Sequence, residues 1–319
     1  MPPYEPLFRN PHLQTILGHY WKRPAFDARF PIEQRLYRTE ADVQVLVESQ
    51  RPTGQAVGEI VMVHGLEGSG RAVSIRSLSG AALNAGFAVH RYNMRTCGGT
   101  ERLCQTLYHA GLTSDLLAVV RELKNESRGP TFLVGFSLGG NVVVKLASEL
   151  GERGPELLGG VCGVSAPLDL AACSRRMAKP DNRIYERRFV RRMRERLRAT
   201  GQYSRGDFEG LNTVCAIDDR ITAPSFGFGN AENYYRTQSA MRYLEGLHVP
   251  VLLIYSKDDT LVPADTFDAP AVRGNPWIEC MPTEHGGHLG FLGRRPHRFW
   301  LDAAIMGWVA GHGARSIKS

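Results

Sequence analysis

Five short, almost continuously apolar runs limit the folds open to this chain more than any other feature. They are residues 59–65, 87–93, 131–137, 160–166 and 249–256. Apolar runs without alternation predict strands covered on both faces, as in a parallel sheet. Segments with helical spacing separate the first four runs: residues 74–86, 112–126 and 141–152. This alternation predicts an α/β fold with a mostly parallel, doubly wound sheet.

Two further regions depart from the alternation. Residues 30–39 and 41–49 follow one another without a long helix and predict an antiparallel pair at the edge of the sheet. Between residue 167 and the run 249–256, the pattern is mostly helical. An insertion between parallel strands lies over their carboxyl ends, where ligands bind. We therefore predict a single α/β domain over residues 1–319, with a helical insertion at about 168–246 that we name the cap.

Composition excludes several classes of protein. The 319 residues are 43% hydrophobic, enough for one large core. The sequence has no run of 18 or more apolar residues, so we do not expect a transmembrane helix. The first residues lack the pattern of a secretory signal. The six cysteines form neither a C-x-x-C pair nor a zinc motif. We expect free, buried thiols and a cytoplasmic location.

The net charge of +7 is concentrated in one segment of the cap. Residues 175–198 carry eleven arginines and lysines against three acids, so the rest of the chain is close to neutral. Four apolar residues recur there at intervals of four and predict a helix with one apolar face: Tyr185, Phe189, Met193 and Leu197. We expect that face to pack on the core, with peripheral membrane contact as the alternative. A lone arginine-rich helix argues against a nucleic-acid partner.

A glycine-flanked serine follows the third apolar run. The pentapeptide GFSLG, residues 135–139, has the G-x-S-x-G form of a nucleophile elbow. It lies between a predicted strand and a predicted helix, which is the setting that this motif needs. Glycines permit the strained turn, and the helix directs free N–H groups at the site. The sequence therefore predicts Ser137 as a nucleophile.

An activated serine needs a basic histidine and an acid that orients it. In this architecture the acid and then the histidine follow the serine along the chain. Asp258 and Asp259 follow the last strong apolar run, and His285 and His288 follow a weaker one. Asp259 has the D-x-x-V-P spacing expected of the acid, and His288 follows two glycines. These patterns favour Asp259 and His288, with Asp258 and His285 as alternatives.

Two backbone N–H groups are expected to hold the negatively charged oxygen of the reaction. One belongs to Leu138, the residue after the nucleophile, and the other to Leu66 in the glycine-rich loop 62–70. That loop lacks the glycine spacing of nucleotide-binding motifs. We expect His64 to position the loop by hydrogen bonding. The predicted chemistry requires no metal and no organic cofactor.

Several segments match a known family: NPHLQTIL, HGLEGSG, NMRTCGG, GFSLGGNV, VSAPLDL, DDRITAPSFGF, YYR and HGGHLGF. Through them nearly the whole chain resembles the α/β-hydrolase superfamily, and within it the YheT-like branch of predicted esterases and lipases. The resemblance implies the α/β-hydrolase fold, hydrolysis of carboxylic esters and a charge network of Ser137, Asp259 and His288. Eukaryotic relatives include phospholipases, which implies lipid-like substrates. One departure is Thr96, where the family pattern has glycine.

The sequence thus predicts a serine esterase that forms an acyl-enzyme on small or lipid-like esters. An acyltransferase, or a hydrolase of thioesters or amides, would use the same residues and is the first alternative. A catalytically silent protein that binds membranes or an acidic partner through the cap is the second. The complete set of three residues argues against that second alternative.

Overall fold

A mixed sheet of eight strands forms the centre of the molecule. The structure is a computed structural model and describes residues 3–23, 29–127 and 129–316. The strands are β1 (Glu33–Glu40), β2 (Val43–Gln50), β3 (Glu59–Val63), β4 (Ala88–Tyr92), β5 (Thr131–Phe136), β6 (Gly160–Val164), β7 (Val251–Ser256) and β8 (Ile278–Thr283). Their order is β1-β2-β4-β3-β5-β6-β7-β8. The pairs β1–β2 and β2–β4 are antiparallel, and all other neighbours are parallel.

Helices cover both faces of this sheet. They are α1 (Pro11–Tyr20), α2 (Val73–Asn84), α3 (Ser114–Glu126), α4 (Leu138–Leu150), α5 (Gly154–Leu157), α6 (Leu170–Met177), α7 (Arg183–Ala199), α8 (Val214–Ile217), α9 (Ala223–Ser225), α10 (Ala231–Gln238), α11 (Pro270–Arg273) and α12 (Trp300–Ser316). One core cluster joins α3 and α4 to the sheet, and a second joins α2 and α12. Two apolar layers on one sheet are the doubly wound arrangement.

The strand predictions are confirmed. All residues of the five strands β3 to β7 are buried, which explains why their sequences are continuously apolar. The predicted antiparallel pair is β1 and β2, and it lies at one edge of the sheet. The carboxyl ends of the parallel strands meet at one edge of the sheet, so residues far apart in sequence converge there.

The helices α6 to α10 lie between β6 and β7, in the part of the chain where we predict the cap. They have a small apolar cluster of their own: Val190, Met193, Leu197, Phe208, Val214, Ile217 and Ile221, joined by Leu107. All four residues of the predicted apolar stripe of α7 are buried or pack against this cluster, and Val190 extends the stripe. Val190 is buried and Phe189 only partly so. A helix has 3.6 residues per turn, so a stripe of every fourth residue drifts around it.

All six cysteines are free thiols, as predicted. Four are buried, but Cys215 is exposed and Cys280 is half-buried, so the expectation of burial is wrong for these two. No helix in the described ranges is long and apolar enough to cross a membrane. The same ranges contain no cluster of three or more histidine, cysteine, aspartate or glutamate residues suited to a metal ion.

Candidate active site

Ser137 lies in the sharp turn between β5 and α4. Its φ of 51° and ψ of −123° are unfavourable for a residue with a side chain. A Cβ on Gly135 would lie 2.2 Å from the Gly139 oxygen, and one on Gly139 would lie 2.4 Å from the Val63 oxygen. Glycine is therefore required at both positions. The Ser137 N–H donates to the Val164 carbonyl at 2.8 Å, which ties the turn to β6.

His288 lies between Ser137 and Asp259. Its Nε2 is 2.9 Å from the Ser137 Oγ, and its Nδ1 is 3.0 Å and 3.1 Å from the two Asp259 carboxylate oxygens. A carboxylate only accepts, so the hydrogen-bond network assigns the ring proton to Nδ1 and leaves Nε2 to accept from the serine hydroxyl. Asp259 is fixed by the N–H groups of Leu261 and Val262, at 2.8 Å and 3.0 Å.

The alternative residues Asp258 and His285 form a separate pair. Asp258 Oδ2 is 3.1 Å from His285 Nδ1. Its Oδ1 accepts from the Gly287 N–H and from the Ser256 hydroxyl, both at 2.9 Å. Asp258 thus anchors the loop that carries His288, while the structure brings Asp259 and His288 to the serine.

Helix α1 packs against the loop that carries His288. The His288 N–H donates to Thr15 Oγ1 at 2.9 Å. Gln14 exchanges two hydrogen bonds with the backbone of Leu292, and a Cβ on Gly290 would lie 2.4 Å from the Gln14 carbonyl oxygen. Sequence reasoning missed these supporting residues. Their only signal was the segment NPHLQTIL within the resemblance.

The two predicted oxyanion donors lie beside the serine. Leu138 is the first residue of α4, where a backbone N–H has no partner within the helix. In the described parts of the chain, the Leu66 N–H makes no hydrogen bond. A Cβ on the adjacent Gly65 would lie 3.1 Å from the Ser137 Cβ, so this loop touches the nucleophile directly. Both leucines line one cavity with Ser137 and His288.

His64 holds the Leu66 loop in place, as the sequence predicts. Its Nε2 accepts from the Met94 N–H at 3.1 Å, so its Nδ1 donates to the Gly65 carbonyl at 2.8 Å. Burial lowers the pKa of His64 to about 4, so the ring is neutral near pH 7. The ring therefore braces the loop against β4 without adding charge next to the site.

A cavity of about 90 Å³ opens beside Ser137, and most of its wall is apolar. The apolar lining residues come from the core and the cap: Leu66, Leu138, Pro167, Leu170, Cys173, Met177, Phe189, Met193, Val214, Leu261 and Val262. Such a wall favours the apolar part of a substrate. Because cap helices supply part of the lining, the insertion shapes the space in front of the serine.

One carboxylate on the cavity wall was not singled out from the sequence. Asp218 opens a one-turn π-helix, Asp218–Thr222, a distortion that is frequent at functional sites. Its Oδ2 accepts from the Tyr235 hydroxyl at 2.7 Å. Burial raises the pKa of Asp218 to about 6. Asp218 thus adds a carboxylate that can bind a hydroxyl of a ligand to a cavity wall that is mostly apolar.

The sequence of this chain matches a known protein family. Residues 60–302 match the alpha/beta hydrolase family. The chain is 33% identical to "Putative esterase YheT" of Escherichia coli, over 95% of this chain and 91% of that protein. It is 26% identical to "Phospholipase ABHD3" of Mus musculus, over 88% of this chain and 70% of the relative.

A solved structure shares the fold at low sequence identity. The Pyrococcus furiosus esterase Pf2001 superposes with a TM-score of 0.61 and 16% identity, over 90% of this chain and 96% of that one. At this identity the likeness concerns the fold alone. The family match and the similarity to YheT extend over most of the chain. The protein therefore belongs to the alpha/beta hydrolase family, as an esterase/lipase-type member of its YheT-like branch.

Proposed function

We propose that the protein cleaves carboxylic esters with Ser137 as nucleophile, His288 as general base and acid, and Asp259 as the orienting acid. One observation carries this proposal. The Ser137 hydroxyl lies 2.9 Å from the His288 ring nitrogen at the wall of an apolar cavity. A serine and a base within hydrogen-bond reach, with a third group on the base, are the signature of nucleophilic catalysis.

In the first half of the reaction, Ser137 Oγ attacks the ester carbonyl while His288 Nε2 takes its proton. The negative charge of Asp259 stabilises the imidazolium that forms. The carbonyl oxygen becomes an oxyanion, and the N–H groups of Leu138 and Leu66 donate to it. His288 then protonates the leaving alcohol, and the acyl group stays on the serine.

In the second half, water takes the place of the alcohol. His288 removes its proton, the water oxygen attacks the acyl carbon, and the same N–H groups hold the second oxyanion. Collapse of this intermediate releases the carboxylic acid, and the proton returns to Ser137 through His288. The buried imidazole serves alternately as base and acid, so the protein must keep its ring in one orientation. The Asp259 carboxylate does this, because both of its oxygens lie within hydrogen-bond reach of the His288 Nδ1–H.

We further propose that the substrates have an apolar, lipid-like acyl chain and that the cap, residues 168–246, is a lid over the site. The wall beside Ser137 is mostly apolar. The cavity of about 90 Å³ is smaller than the roughly 150 Å³ that admits benzene. Cap helices must therefore move before a long acyl chain can enter. The phospholipase named above is a relative with a lipid substrate.

The first test is labelling with a fluorophosphonate, followed by mapping of the modified residue. We expect the label on Ser137, and its loss in the His288→Ala variant. His285→Ala is the matched control and should keep the label. p-Nitrophenyl esters of increasing acyl length then define the chain preference, and added alcohols separate hydrolysis from acyl transfer. Folded protein that is not labelled at Ser137 would contradict the proposal.

We also propose peripheral contact with anionic membranes through α7 and α1. Arginines line a groove on the outer side of α7: Arg183, Arg187, Arg191, Arg194 and Arg198, with Glu186 and Glu195 among them. Four large apolar side chains on α1 and α7 are exposed: Ile184 at 73%, Tyr20 at 66%, Leu13 at 45% and Ile16 at 40%. Arginines beside exposed apolar residues suit the surface of an anionic bilayer.

The two helices form one continuous surface. Arg188 on α7 donates to the Tyr20 hydroxyl at 2.6 Å, and His12 on α1 lies 3.0 Å from the Tyr185 hydroxyl. Helix α1 also supports the loop of His288. A membrane that binds α1 and α7 would therefore contact one helix that lines the cavity and another that supports the loop of His288.

Sedimentation with lipid vesicles tests this contact. We expect binding to phosphatidylcholine vesicles that contain phosphatidylglycerol, and none to phosphatidylcholine alone. Charge reversal in Arg187→Glu/Arg191→Glu should abolish binding, whereas Arg102→Glu, at an exposed arginine elsewhere, should leave it intact. Binding that does not depend on lipid charge or on added salt would contradict the proposal.

A further inference from the structure

Six non-glycine residues in the described ranges have a positive φ, and two of them contact the same side chain of the cap. These two are Glu67, with φ of 53°, and Thr96, with φ of 57°. Both side chains are buried. Glu67 directly follows Leu66, the proposed oxyanion donor, and Thr96 stands where the family pattern has glycine. Such conformations persist only where the surrounding contacts hold them.

One side chain of the cap contacts both residues. Arg196 on α7 places its Nε 2.9 Å and 3.0 Å from the two Glu67 carboxylate oxygens. Its Nη1 donates to Thr96 Oγ1 at 2.9 Å. The Arg196 and Glu67 side chains are only 9% and 3% exposed, so this is a buried ion pair. Removing one partner of such a pair leaves an uncompensated buried charge, so the contact strongly holds the geometry around it.

Tyr108 completes the contacts of Glu67. The Glu67 N–H donates to the Tyr108 hydroxyl oxygen, and that hydroxyl donates to Glu67 Oε1, both at 3.1 Å. The Arg196 guanidinium lies 4.7 Å from the centre of the Tyr108 ring. The backbone and the carboxylate of Glu67 are therefore both held. The peptide next to the Leu66 N–H has little freedom to rotate while Arg196 is in place.

We infer that Arg196 is a positioning residue that holds the Leu66 loop in the geometry needed for oxyanion stabilisation. The inference rests on the proposed function of Ser137 and Leu66. Arg196 reaches the reacting atoms only through Glu67 and Thr96. Because Arg196 belongs to the cap, the oxyanion site is complete only when α7 is seated on the core. The Thr96 hydroxyl supplies an acceptor that glycine lacks, which explains this departure from the family pattern.

The test compares Arg196→Gln with Arg192→Gln, an exposed arginine on the same helix that lies outside the proposed membrane-binding groove. With p-nitrophenyl butyrate, we expect Arg196→Gln to lower kcat about 10- to 100-fold, less than the roughly 10²–10³-fold lost when a donor is removed outright. KM should change less than about threefold, because the loss concerns the transition state. Arg192→Gln should resemble the wild type.

A second readout separates positioning from general destabilisation. A trifluoromethyl ketone forms a tetrahedral adduct with an active-site serine, and its oxygen occupies the oxyanion site. Its affinity should fall by the same factor as kcat in Arg196→Gln and recover in part in Arg196→Lys, which restores the charge but not the planar fork. If Arg196→Gln does not fold, Arg196→Lys and Glu67→Gln provide the same comparison, with smaller effects.

Unchanged kcat and inhibitor affinity in folded Arg196 variants would overturn the inference, and so would a change confined to KM. Fluorophosphonate labelling of the wild type reports on the proposed function by itself. If Ser137 is not labelled, the proposed function fails and the inference fails with it. If Ser137 is labelled and Arg196→Gln behaves like Arg192→Gln, only the role of Arg196 is wrong.

Discussion

In the described residues, two hydrogen-bonded arrays place a histidine between a serine and an acid, and only one of them faces a cavity. In the first, Ser137 lies 2.9 Å from His288, which bonds to Asp259. In the second, Ser49 Oγ lies 2.8 Å from His90 Nδ1, and His90 Nε2 lies 2.6 Å from Glu59. The hydrogen-bond lengths are similar, so contact distance alone does not distinguish them.

Their surroundings differ in access and in nearby donors. Ser137 is partly exposed in a strained turn, next to the N-terminus of α4 and a cavity. Ser49 lies within β2, in register with His90 on β4. Ser49, His90 and Glu59 are 8%, 0% and 2% exposed. The first serine is open to a cavity beside the proposed oxyanion donors, while the second array satisfies polar groups inside the sheet.

Replacing each serine in turn should give the largest difference in turnover between the two arrays. We expect Ser137→Ala to lower the turnover of p-nitrophenyl butyrate by about 10⁵-fold or more, because the nucleophile is lost. Ser49→Ala should keep turnover within about twofold. Circular dichroism confirms that both variants are folded. A large loss of activity in Ser49→Ala, or a small one in Ser137→Ala, would reverse the assignment.

Neutralising each acid gives the next largest difference. Asp259→Asn should lower kcat by about 10⁴-fold, since the amide favours the wrong tautomer of His288. Glu59→Gln should leave kcat nearly unchanged, because His90 does not touch the cavity that contains Ser137. Steady-state kinetics of the purified variants measure both values. Equal losses of kcat would mean that the buried array contributes to catalysis.

The buried array should matter for the stability of the fold although we expect it not to matter for catalysis. Glu59→Gln weakens a buried, charge-assisted hydrogen bond, so we expect the free energy of unfolding to fall by about 1–3 kcal/mol at pH 7. Glu279→Gln, at an exposed position of β8, is the control and should stay within about 0.5 kcal/mol of the wild type. Urea denaturation followed by tryptophan fluorescence gives the difference. No loss in Glu59→Gln would contradict a structural role of this array.

The smallest expected effect is the pH dependence of that stability. Burial acts to raise the pKa of Glu59, but hydrogen bonds from His90 and Ser127 and the charges of His90 and Arg51 outweigh it, so the pKa lies below its ordinary value of 4.5. The unfolded chain therefore takes up this proton first as the pH falls. The stability gap between wild type and Glu59→Gln should be complete above pH 4.5 and shrink below it. Urea titrations at several pH values test this, and a gap that widens in acid would contradict it.

Local patterns predicted much of the candidate site. The strand before Ser137 and the helix after it could both be predicted from the sequence, because a buried strand and an amphipathic helix each have a characteristic pattern of apolar residues. The glycines at 135 and 139 were informative because the turn admits no side chain there. The choice between Asp258 and Asp259 depended on motif spacing, because adjacent carboxylates are chemically equivalent in sequence.

The contacts of α1 and Arg196 could not be predicted in this way. Thr15 supports His288 across 273 residues, and Arg196 holds Glu67 across 129. Neither contact produces a periodic or local pattern in the amino-acid sequence. The same holds for the buried array, since Ser49, His90 and Glu59 lie on three different strands and meet only through their register.

The sequence by itself determined the sheet, its covering helices, the strained turn and the residue types available for catalysis, because these follow from short-range backbone sterics and hydrophobic burial. Sequence patterns favoured Asp259 and His288, but the tertiary structure alone showed that His288 contacts both Ser137 and Asp259, and that Arg196 contacts Glu67. Those outcomes depend on where side chains from distant segments converge at the carboxyl edge of the sheet. Hydrogen bonding requires placement to within a few tenths of an ångström, and only the packed structure sets positions that finely.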